Sequence, residues 1–380
     1  MNILKPKICL ISFNSYPILS RAKIPIAGGA ELQQVLLAHA LKQSGLDVSV
    51  IVFDYGQPPV EIRDGFRIIK SARLDLLNKK PKTLLSILYS YIAAPYLFWR
   101  SLERANADIY LQKMVGPSSA LAVLFCLLKK KRFIYSVSSD TELERADMES
   151  KAFIARFLCK FVIKMADCII AQNEYQQRLL KINFNRESIV VKSIGILPID
   201  KPDKTVPPIV LWVATVREAK QPELFLKLAR EIPEANFQMI GGSALEENTQ
   251  YFEQIKERAR HVPNLEFVGF VPYHQIDQYF AGASIFVNTS SVEGFPNTFL
   301  QAWARYTPVV SLNCNPDGVI CEKRLGFHSR SFEQMAKDVK LLLKDDKLRG
   351  ELGANGRKYI EKEHNTKEVV KQYIDLFEQL

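Results

Sequence analysis

The sequence predicts two doubly wound α/β domains, each with a parallel β-sheet, that face each other across a cleft. Short β-branched runs alternate with helical stretches of 8–15 residues along the chain, and this alternation is typical of parallel sheets with right-handed crossovers. The chain has 380 residues, whereas a single hydrophobic core stops growing near about 250–300 residues. The segment Leu197–Pro208 contains four prolines in twelve residues and predicts a stiff linker between the domains.

The first predicted domain covers residues 1–197 and contains seven strands. They are Ile8–Phe13, Val48–Phe53, Phe66–Ile69, Ile109–Gln112, Phe133–Val137, Cys168–Ala171 and Ile189–Val191. Helices are predicted between most of them, among them Glu31–Gln43 and Ala152–Met165. The linker is assigned to residues 198–208.

The second predicted domain covers residues 209–360. Its strands are Ile209–Val213, Phe237–Ile240, Leu265–Val268, Ile285–Asn288 and Val309–Ser311. Its helices are Pro222–Glu231, Thr249–Arg260, Gln275–Ala281 and Asn297–Ala304. A last helix, at 361–380, is expected to pack back toward the first domain. In each domain a ligand is expected at the carboxyl ends of the strands.

The composition and the charge restrict the class of protein. A chain with 47% hydrophobic and 24% charged residues is neither disordered nor fibrous. Residues 1–200 contain 28 Lys and Arg against 17 Asp and Glu, and residues 201–380 contain 23 against 24, so the net charge of +10 arises in the first half. This asymmetry predicts an anionic partner there, either a phosphorylated substrate or a membrane surface.

The sequence also predicts a cytoplasmic protein. The six cysteines lack the spacing of metal ligands and are interpreted as buried thiols of a reducing compartment. The longest uncharged stretch, Thr83–Trp99, has seventeen residues, which is shorter than the roughly 20 apolar residues of a spanning helix. The apolar run after the N-terminus is too short for the core of a signal peptide.

Two loops that follow predicted strands have features of a phosphate site. Gly28 and Gly29 open a helix, whose free backbone amides and positive dipole end attract phosphate. Arg217 and Lys220 follow the first strand of the second domain, where two cations suit a diphosphate. The competing interpretations are a structural Gly-Gly turn and a solvated pair of loop charges. The two glycines also lack the G-x-G-x-x-G spacing of a dinucleotide-binding loop.

The most informative segment is Ser290–Val310, which begins where a predicted strand ends. Its loop carries Glu293, and a helix is predicted to begin near Asn297 with its free amides directed at the loop. Such a site can hold a carboxylate, sugar hydroxyls and a phosphate together. Gln301 lies one helical turn beyond Asn297 on the same face. The competing interpretation is that Asn297 or Thr298 only caps the helix.

These motifs resemble the retaining nucleotide-sugar glycosyltransferases of glycosyltransferase family 4, which have the GT-B fold of two Rossmann-like domains. The resemblance covers nearly the whole chain and is densest in Asn264–Phe270, Ala283–Ser290 and Glu293–Asn297. It implies a hexosyltransferase that moves a sugar from a nucleotide-diphosphate sugar to a hydroxyl of a glycan or lipid-linked acceptor. The expected role is the biosynthesis of cell-surface polysaccharide or glycolipid.

The resemblance also implies roles for individual residues. Glu293 would contact the donor sugar, and Arg217 and Lys220 would act on the diphosphate. Asp140 or Ser139 would stand where many members have a histidine near the reacting sugar, and Asp140 is taken as the catalytic candidate. The remaining donor-binding residues would be Gly28, Gly29, Gly269, Phe270, Gly294, Phe295, Pro296, Asn297, Thr298 and Gln301.

Three positions depart from the family pattern. Gln301 replaces the second glutamate, which would hold the ribose hydroxyls, so we expect ribose binding without charge assistance. Arg217 stands two places later than the arginine of the family. The segment Tyr135–Asp140 lacks the histidine. Two of these departures, at Gln301 and at the histidine, favour an alternative function, a catalytically silent GT-B subunit that binds a nucleotide sugar.

No metal ion or other cofactor is predicted. The sequence has no Asp-x-Asp dyad, and Arg217, Lys220 and the helix amides would neutralise the leaving diphosphate. A further alternative, a GT-B sugar-nucleotide epimerase, would need additional carboxylates around the sugar, for which the sequence shows no pattern. Nucleic acid is not among the expected partners.

Two basic clusters predict a peripheral contact with the inner face of the cell membrane. Lys79–Lys82 precedes the uncharged stretch Thr83–Trp99, and Lys129–Arg132 follows a second one, Met114–Leu128. Basic residues beside exposed apolar helix faces are attracted to an anionic bilayer. The competing interpretation is a pair of buried crossover helices with basic ends.

Overall fold

The computed structural model describes the chain except for residues 1–4, 23–27, 74–86, 145–152 and 244–248. The described residues form two compact units, each with its own sheet. The first unit comprises the described residues of Met1–Ser20, Gly29–Lys192 and Lys367–Leu380, and the second comprises those of Arg21–Gly28 and Ser193–Thr366. The chain therefore leaves the first unit after Lys192, whereas the sequence places that boundary at residue 197.

The first unit contains an eight-stranded sheet in the order β3-β4-β2-β1-β5-β6-β7-β8. The strands are β1 (Lys7–Ile11), β2 (Asp47–Asp54), β3 (Val60–Arg63), β4 (Phe66–Arg73), β5 (Ile109–Lys113), β6 (Arg132–Ser136), β7 (Cys168–Ala171) and β8 (Ile189–Val190). The helices are α1 (Tyr16–Ser20), α2 (Gly29–Gln43), α3 (Ala94–Ala105), α4 (Pro117–Lys129), α5 (Phe153–Met165) and α6 (Glu174–Phe184), and a π-helical turn, Tyr89–Ala93, leads into α3.

The second unit contains a six-stranded sheet in the order β11-β10-β9-β12-β13-β14. The strands are β9 (Ile209–Val213), β10 (Asn236–Ile240), β11 (Leu265–Gly269), β12 (Ile285–Asn288), β13 (Val309–Ser311) and β14 (Gly326–His328). The helices are α7 (Pro222–Glu231), α8 (Thr249–Arg260), α9 (Tyr273–Gly282), α10 (Asn297–Ala304), α11 (Val319–Glu322), α12 (Phe332–Lys344) and α13 (Asp346–Glu363). A last helix, α14 (Thr366–Gln379), lies almost entirely in the part of the chain assigned to the first unit.

The predicted parallel sheets are confirmed, and burial explains why the sequence reveals them. All four residues of β12 are buried, as expected for parallel strands that are covered by helices on both faces. Pro222 begins α7, where its missing N–H leaves no intrahelical bond unmade, and the buried face of α7 includes Phe225 and Leu228. Trp212 and Phe237 lie in the same core.

Two strands, β3 and β14, were not predicted. β3 is an antiparallel edge strand that pairs with β4, and its sequence alternates between exposed and half-buried residues. Asp64 and Gly65 connect the two strands with positive φ angles of 49° and 80°. A two-residue Asp-Gly connection of this kind favours a tight hairpin, so the signal was present in the sequence.

The predicted linker is fixed to the second unit. Lys204 Nζ donates hydrogen bonds to the carbonyl oxygen of Arg305 and to Thr307 Oγ1, both at 2.7 Å. The guanidinium of Arg305 also donates to the carboxylate of Asp200 at 3.1 Å. The linker residues therefore belong structurally to the second unit.

Two segments of the second unit that precede or follow a passage to the first unit, Ser193–Gly195 and His364–Asn365, lie side by side. Gly195 forms a parallel β-bridge with Asn365, and a Cβ atom at Gly195 would lie 2.8 Å from Ile360 Cγ2. His364 Nδ1 lies 2.7 Å from the carbonyl oxygen of Ser193. Because the chain bends at His364, α13 ends at Glu363 and α14 begins at Thr366, whereas the sequence predicts one helix at 361–380.

Candidate functional site

The candidate site of the second unit lies where β9 and β12 end. The order of the strands reverses between these two neighbours, and ligands bind beside the carboxyl ends of strands at such a point. Thr289 joins the two loops that follow, since its Oγ1 accepts a hydrogen bond from Trp212 Nε1 at 2.9 Å and donates to the carbonyl oxygen of Lys220 at 2.7 Å. The amide of Ser291 also donates to the carbonyl oxygen of Ala219 at 2.9 Å.

Lys220 and Glu293 form an ion pair between these two loops. Their side chains are 11% and 19% exposed, so both groups remain open to a ligand. Ser290 Oγ donates a hydrogen bond of 2.8 Å to the same carboxylate oxygen, Glu293 Oε1. The site therefore presents one cation and one oriented carboxylate side by side.

The structure does not bring Arg217 into this ion pair. Arg217 is exposed and precedes the short 3-10 helix Glu218–Lys220, and its extended backbone has φ −153°. Its carbonyl oxygen accepts the amide of Lys220 at 2.9 Å. The two predicted cations thus share one loop, but only Lys220 contacts Glu293.

The beginning of α10 supplies backbone amides beside this loop. Asn297 is the first residue of the helix, and Pro296 occupies the capping position without a side-chain hydrogen bond. Asn297 and Thr298 are half-buried, and neither is the N-cap that the sequence had left as an alternative. Of the first amides of α10, that of Phe299 donates to the carbonyl oxygen of Pro296 at 3.1 Å. The positive end of the helix dipole at this point favours an anion.

The other predicted donor residues of this motif lie in different environments. The buried Phe295 ring lies 5.0 Å from the ring of His364 and 6.5 Å from that of Trp303, so the ring packs in the core and does not face a ligand. Gly294 and Pro296 are also buried. Gln301 is half-buried on α10, four residues after the first residue of the helix.

A second group of predicted donor residues ends β11, at the edge of the sheet. Gly269 has a positive φ of 84°, a conformation that glycine adopts without strain. Its carbonyl oxygen accepts the amide of Gly241 at 3.0 Å, and Phe270, the next residue in the chain, is 39% exposed. An aromatic ring in this position is available for stacking.

Sequence reasoning missed Gly241, which lies after β10. A Cβ atom there would lie 2.2 Å from the carbonyl oxygen of Ala214, and the amide of Val216 donates to the carbonyl oxygen of Gly242 at 3.0 Å. The loops after β9 and β10 therefore approach so closely that only glycine fits. The pair Gly241-Gly242 directly after a strand was the signal, as it was for Gly28-Gly29.

Gly28 and Gly29, where the chain re-enters the first unit, are exposed, and Gly29 begins α2, as the motif predicts. The residues just before them, 23–27, lie outside the described residues. Asp140 begins a short 3-10 helix after β6. Its Oδ1 accepts a hydrogen bond of 2.9 Å from Gln176 Nε2, which anchors the carboxylate to α6.

A further carboxylate at this edge is that of the half-buried Glu142, which sequence reasoning missed. Tyr135 Oη and Ser138 Oγ both donate to it, and burial raises its pKa. Lys113, the last residue of β5, lies within its electrostatic influence, and burial lowers the pKa of Lys113 to about 8. Both residues follow or end neighbouring strands, and this position was the available signal.

Within the part of the chain that the structure describes, no three His, Cys, Asp or Glu side chains come together as a metal site. Among the same residues, no helix has both the length and the apolar character that are needed to cross a bilayer.

Comparison with known proteins identifies the second unit. Residues 198–359 match the family Glycosyl transferases group 1. An uncharacterized glycosyltransferase of Haemophilus influenzae is 23% identical over 344 residues, which cover 85% of this chain and 88% of that protein. The predicted resemblance is confirmed at the level of a Glycosyl transferases group 1 domain.

Solved structures confirm the GT-B fold over the whole chain. Sucrose-phosphate synthase of Thermosynechococcus elongatus has a TM-score of 0.76 at 19% identity, with 99% of each chain covered. HepE of Anabaena in complex with UDP-glucose has a TM-score of 0.72 at 14% identity, with 99% of this chain and 100% of that chain covered.

Proposed function

We propose that this chain, with its Glycosyl transferases group 1 domain and GT-B fold, is a retaining glycosyltransferase of family 4. It would move a hexose from a nucleotide-diphosphate sugar to a hydroxyl of a glycan or lipid-linked acceptor, in the synthesis of cell-surface polysaccharide or glycolipid. The observation that carries the proposal is the Lys220–Glu293 ion pair at the carboxyl ends of β9 and β12. The complex of HepE with UDP-glucose supports a donor of this class.

The charges of the site suit the two ends of such a donor. A diphosphate would draw the ammonium of Lys220, and the exposed guanidinium of Arg217 on the same loop would take a second oxygen. Glu293, held by Ser290, would accept hydrogen bonds from sugar hydroxyls. The uncapped amides at the start of α10 would stabilise the charge that develops on the leaving diphosphate.

The catalytic element of this proposal is the positive charge that the protein places beside the negatively charged leaving group. The departing phosphate would take the proton of the acceptor hydroxyl, which attacks from the face that the nucleotide leaves, and the anomeric configuration would be retained. Arg217, Lys220 and the amides of α10 supply the positive charge without calling for a metal ion. Gln301, one turn along α10, would hydrogen-bond the ribose as a neutral amide.

A second candidate function is a silent subunit that binds a nucleotide sugar without transferring it. Two observations favour it: Gln301 is an amide, and Asp140 is anchored to Gln176 instead of standing free beside the sugar. This candidate predicts donor binding without turnover, because an intact donor site does not by itself activate the anomeric carbon.

Turnover distinguishes the two functions. Radiolabelled UDP-, GDP- and ADP-sugars are incubated with the protein alone and with membrane extracts that supply lipid-linked acceptors. Without an acceptor, a transferase releases the nucleotide slowly by hydrolysis of the donor. With an acceptor, it incorporates the label into the product, and both reactions stop in Lys220→Ala. Binding of a donor with no release under either condition would favour the silent subunit and contradict the proposed activity.

A further inference from the structure

We infer that the first unit docks on an anionic lipid bilayer through the outer surface of α3, α4 and α5, here called the docking face. These three helices lie side by side in the order α3, α4, α5. Their inner surfaces enter the core through residues such as Phe98, Phe125 and Val162. Their outer surfaces leave a large set of apolar side chains exposed.

The helix that contains α3 carries the first apolar stripe. Leu88, Ile92 and Tyr96 recur every four residues and are all exposed, so they lie on one face. Tyr91, in the π-helical turn that leads into α3, is 72% exposed. Side chains of this size at such exposure are not explained by packing against the described residues of the unit.

The helix α5 combines apolar and basic residues on one face. Phe153 and Phe157 are 74% and 61% exposed, and Ile154 beside them is exposed as well. Lys160 and Lys164 continue the same face of the helix and are also exposed. Aromatic rings beside lysines form the pattern with which interfacial helices enter the headgroup region.

The helix α4 connects these two surfaces, because Leu124, Leu127 and Leu128 are exposed on it. Exposed apolar residues thus occur on three neighbouring helices. Exposed apolar residues that gather on adjacent helices mark a site of interaction.

The charge of the docking face identifies the partner. Within α3, α4 and α5, all of whose residues the structure describes, Glu103 is the one acidic residue, and it is paired with Arg100 at 3.1 Å. The same helices contain six basic residues, which are Arg100, Arg104, Lys129, Arg156, Lys160 and Lys164. Apolar side chains among an excess of cations complement anionic headgroups. A second copy of this chain would bring like charges together.

The structure changes which cations are expected to contribute to membrane binding. In the predicted cluster Lys129–Arg132, Lys131 pairs with Asp108 at 3.0 Å, Arg132 with Asp167 at 2.8 Å and Lys129 with Glu103 at 3.8 Å. Three of its four charges are therefore already compensated. Lys160 and Lys164 take the leading role, and the other predicted cluster, Lys79–Lys82, lies outside the described residues.

Co-sedimentation with vesicles tests the docking face independently of the transfer reaction. The full chain is mixed with phosphatidylglycerol or phosphatidylcholine vesicles at low and high salt. We expect pelleting with phosphatidylglycerol at low salt, weaker pelleting at high salt and little with phosphatidylcholine, because surface attraction is screened. Lys160→Glu with Lys164→Glu should weaken the partition at least about tenfold.

Matched variants separate this effect from general changes of charge or hydrophobicity. Phe153→Ser with Phe157→Ser should also lose binding, whereas Ile182→Ser, on the exposed surface of α6, should retain it. Lys337→Glu with Lys344→Glu makes the same charge change on α12 of the second unit and should retain binding as well. Melting temperatures of all variants verify that they are folded.

A spectroscopic probe reports insertion directly. In Tyr91→Trp, fluorescence should be quenched by brominated phosphatidylglycerol and unaffected by the lipid without bromine. Three results would overturn the inference: no pelleting with phosphatidylglycerol at low salt, equal pelleting of the docking-face and control variants, or a self-association that Phe153→Ser with Phe157→Ser abolishes while no lipid binds.

Discussion

Each unit places a lysine and a glutamate at the carboxyl edge of its sheet, and the two pairs differ in how their side chains are held. In the second unit, Lys220 and Glu293 join two loops as a partly exposed ion pair. In the first unit, Tyr135 and Ser138 donate hydrogen bonds to the half-buried Glu142, and desolvation shifts the pKa of Glu142 upward and that of Lys113 down to about 8. Desolvation opposes charge, so the first unit disfavours the charged forms of its pair, whereas the second unit pairs the two charges directly.

The largest effect is expected when the Lys220–Glu293 ion pair is removed. Lys220→Ala and Glu293→Ala should each lower turnover at least about tenfold, because each removes a group that stabilises the transition state. The melting temperature should change little, since the two loops are also joined by the hydrogen bonds of Thr289 Oγ1 and of the Ser291 amide. Sugar transfer and thermal unfolding are measured on both variants, with Lys337→Ala as the matched control on α12. A variant that unfolds instead would assign the pair a structural role.

A smaller effect is expected where the second unit buries a lysine. Lys204→Met removes the hydrogen bonds to the Arg305 carbonyl and to Thr307 Oγ1, and it should lower the free energy of unfolding by about 2 kcal/mol. Urea denaturation measures this loss. The nearby exposed Lys201→Met serves as the control and should leave stability almost unchanged. Equal stability of both variants would show that the linker is not held by Lys204.

Lys113 and Glu142 of the first unit predict a pH dependence. The pKa of Lys113 is lowered from 10.5 to about 8, so the unfolded chain binds more protons between these values and this residue makes the free energy of unfolding rise with pH there. Glu142→Gln removes a charge that favours the ammonium and should lower the pKa of Lys113 further. Competitive amine labelling across pH, read by mass spectrometry, gives both midpoints. A wild-type midpoint near 10.5 would refute the burial.

The smallest expected effect concerns the ribose. Gln301→Glu should tighten donor binding by about 1 kcal/mol, the difference between a neutral and a charge-assisted hydrogen bond. Calorimetric titration with the donor that the protein accepts measures the change. Gln334→Glu, on α12 of the same unit, controls for the added charge. Unchanged or weaker affinity in Gln301→Glu would place Gln301 away from the ribose.

The architecture of the second unit was readable because its strands are buried on both faces. The bounds predicted for β9, β12 and α10 agree with those of the structure, since parallel strands appear as continuous apolar runs between turns. In the structure, Lys220 and Glu293 come close because their loops follow the adjacent strands β9 and β12. The sequence did not predict this contact, because no spacing relates two residues so far apart in the chain.

The first unit was less readable because burial and pairing depend on tertiary contacts. Asp140 and Glu142 are both acidic and lie two residues apart, and the sequence does not distinguish them. In the structure, Glu142 accepts a hydrogen bond from Ser138, whereas Asp140 accepts one from Gln176. The cluster Lys129–Arg132 reads as free positive charge until Asp108 and Asp167, which are distant in sequence, approach it. The short edge strand β3 lacks the apolar run from which a central strand is predicted.

One measurement tests most directly whether Lys220 and Glu293 of the second unit form a donor site. Melting temperatures are recorded for the wild-type protein and for Lys220→Ala with UDP-, GDP- and ADP-sugars, since a ligand that binds the folded state stabilises it. We expect at least one of these donors to raise the melting temperature of the wild-type protein and to leave that of Lys220→Ala nearly unchanged. A shift of the same size in both proteins, or no shift with any donor, would contradict a nucleotide-sugar site at Lys220 and Glu293.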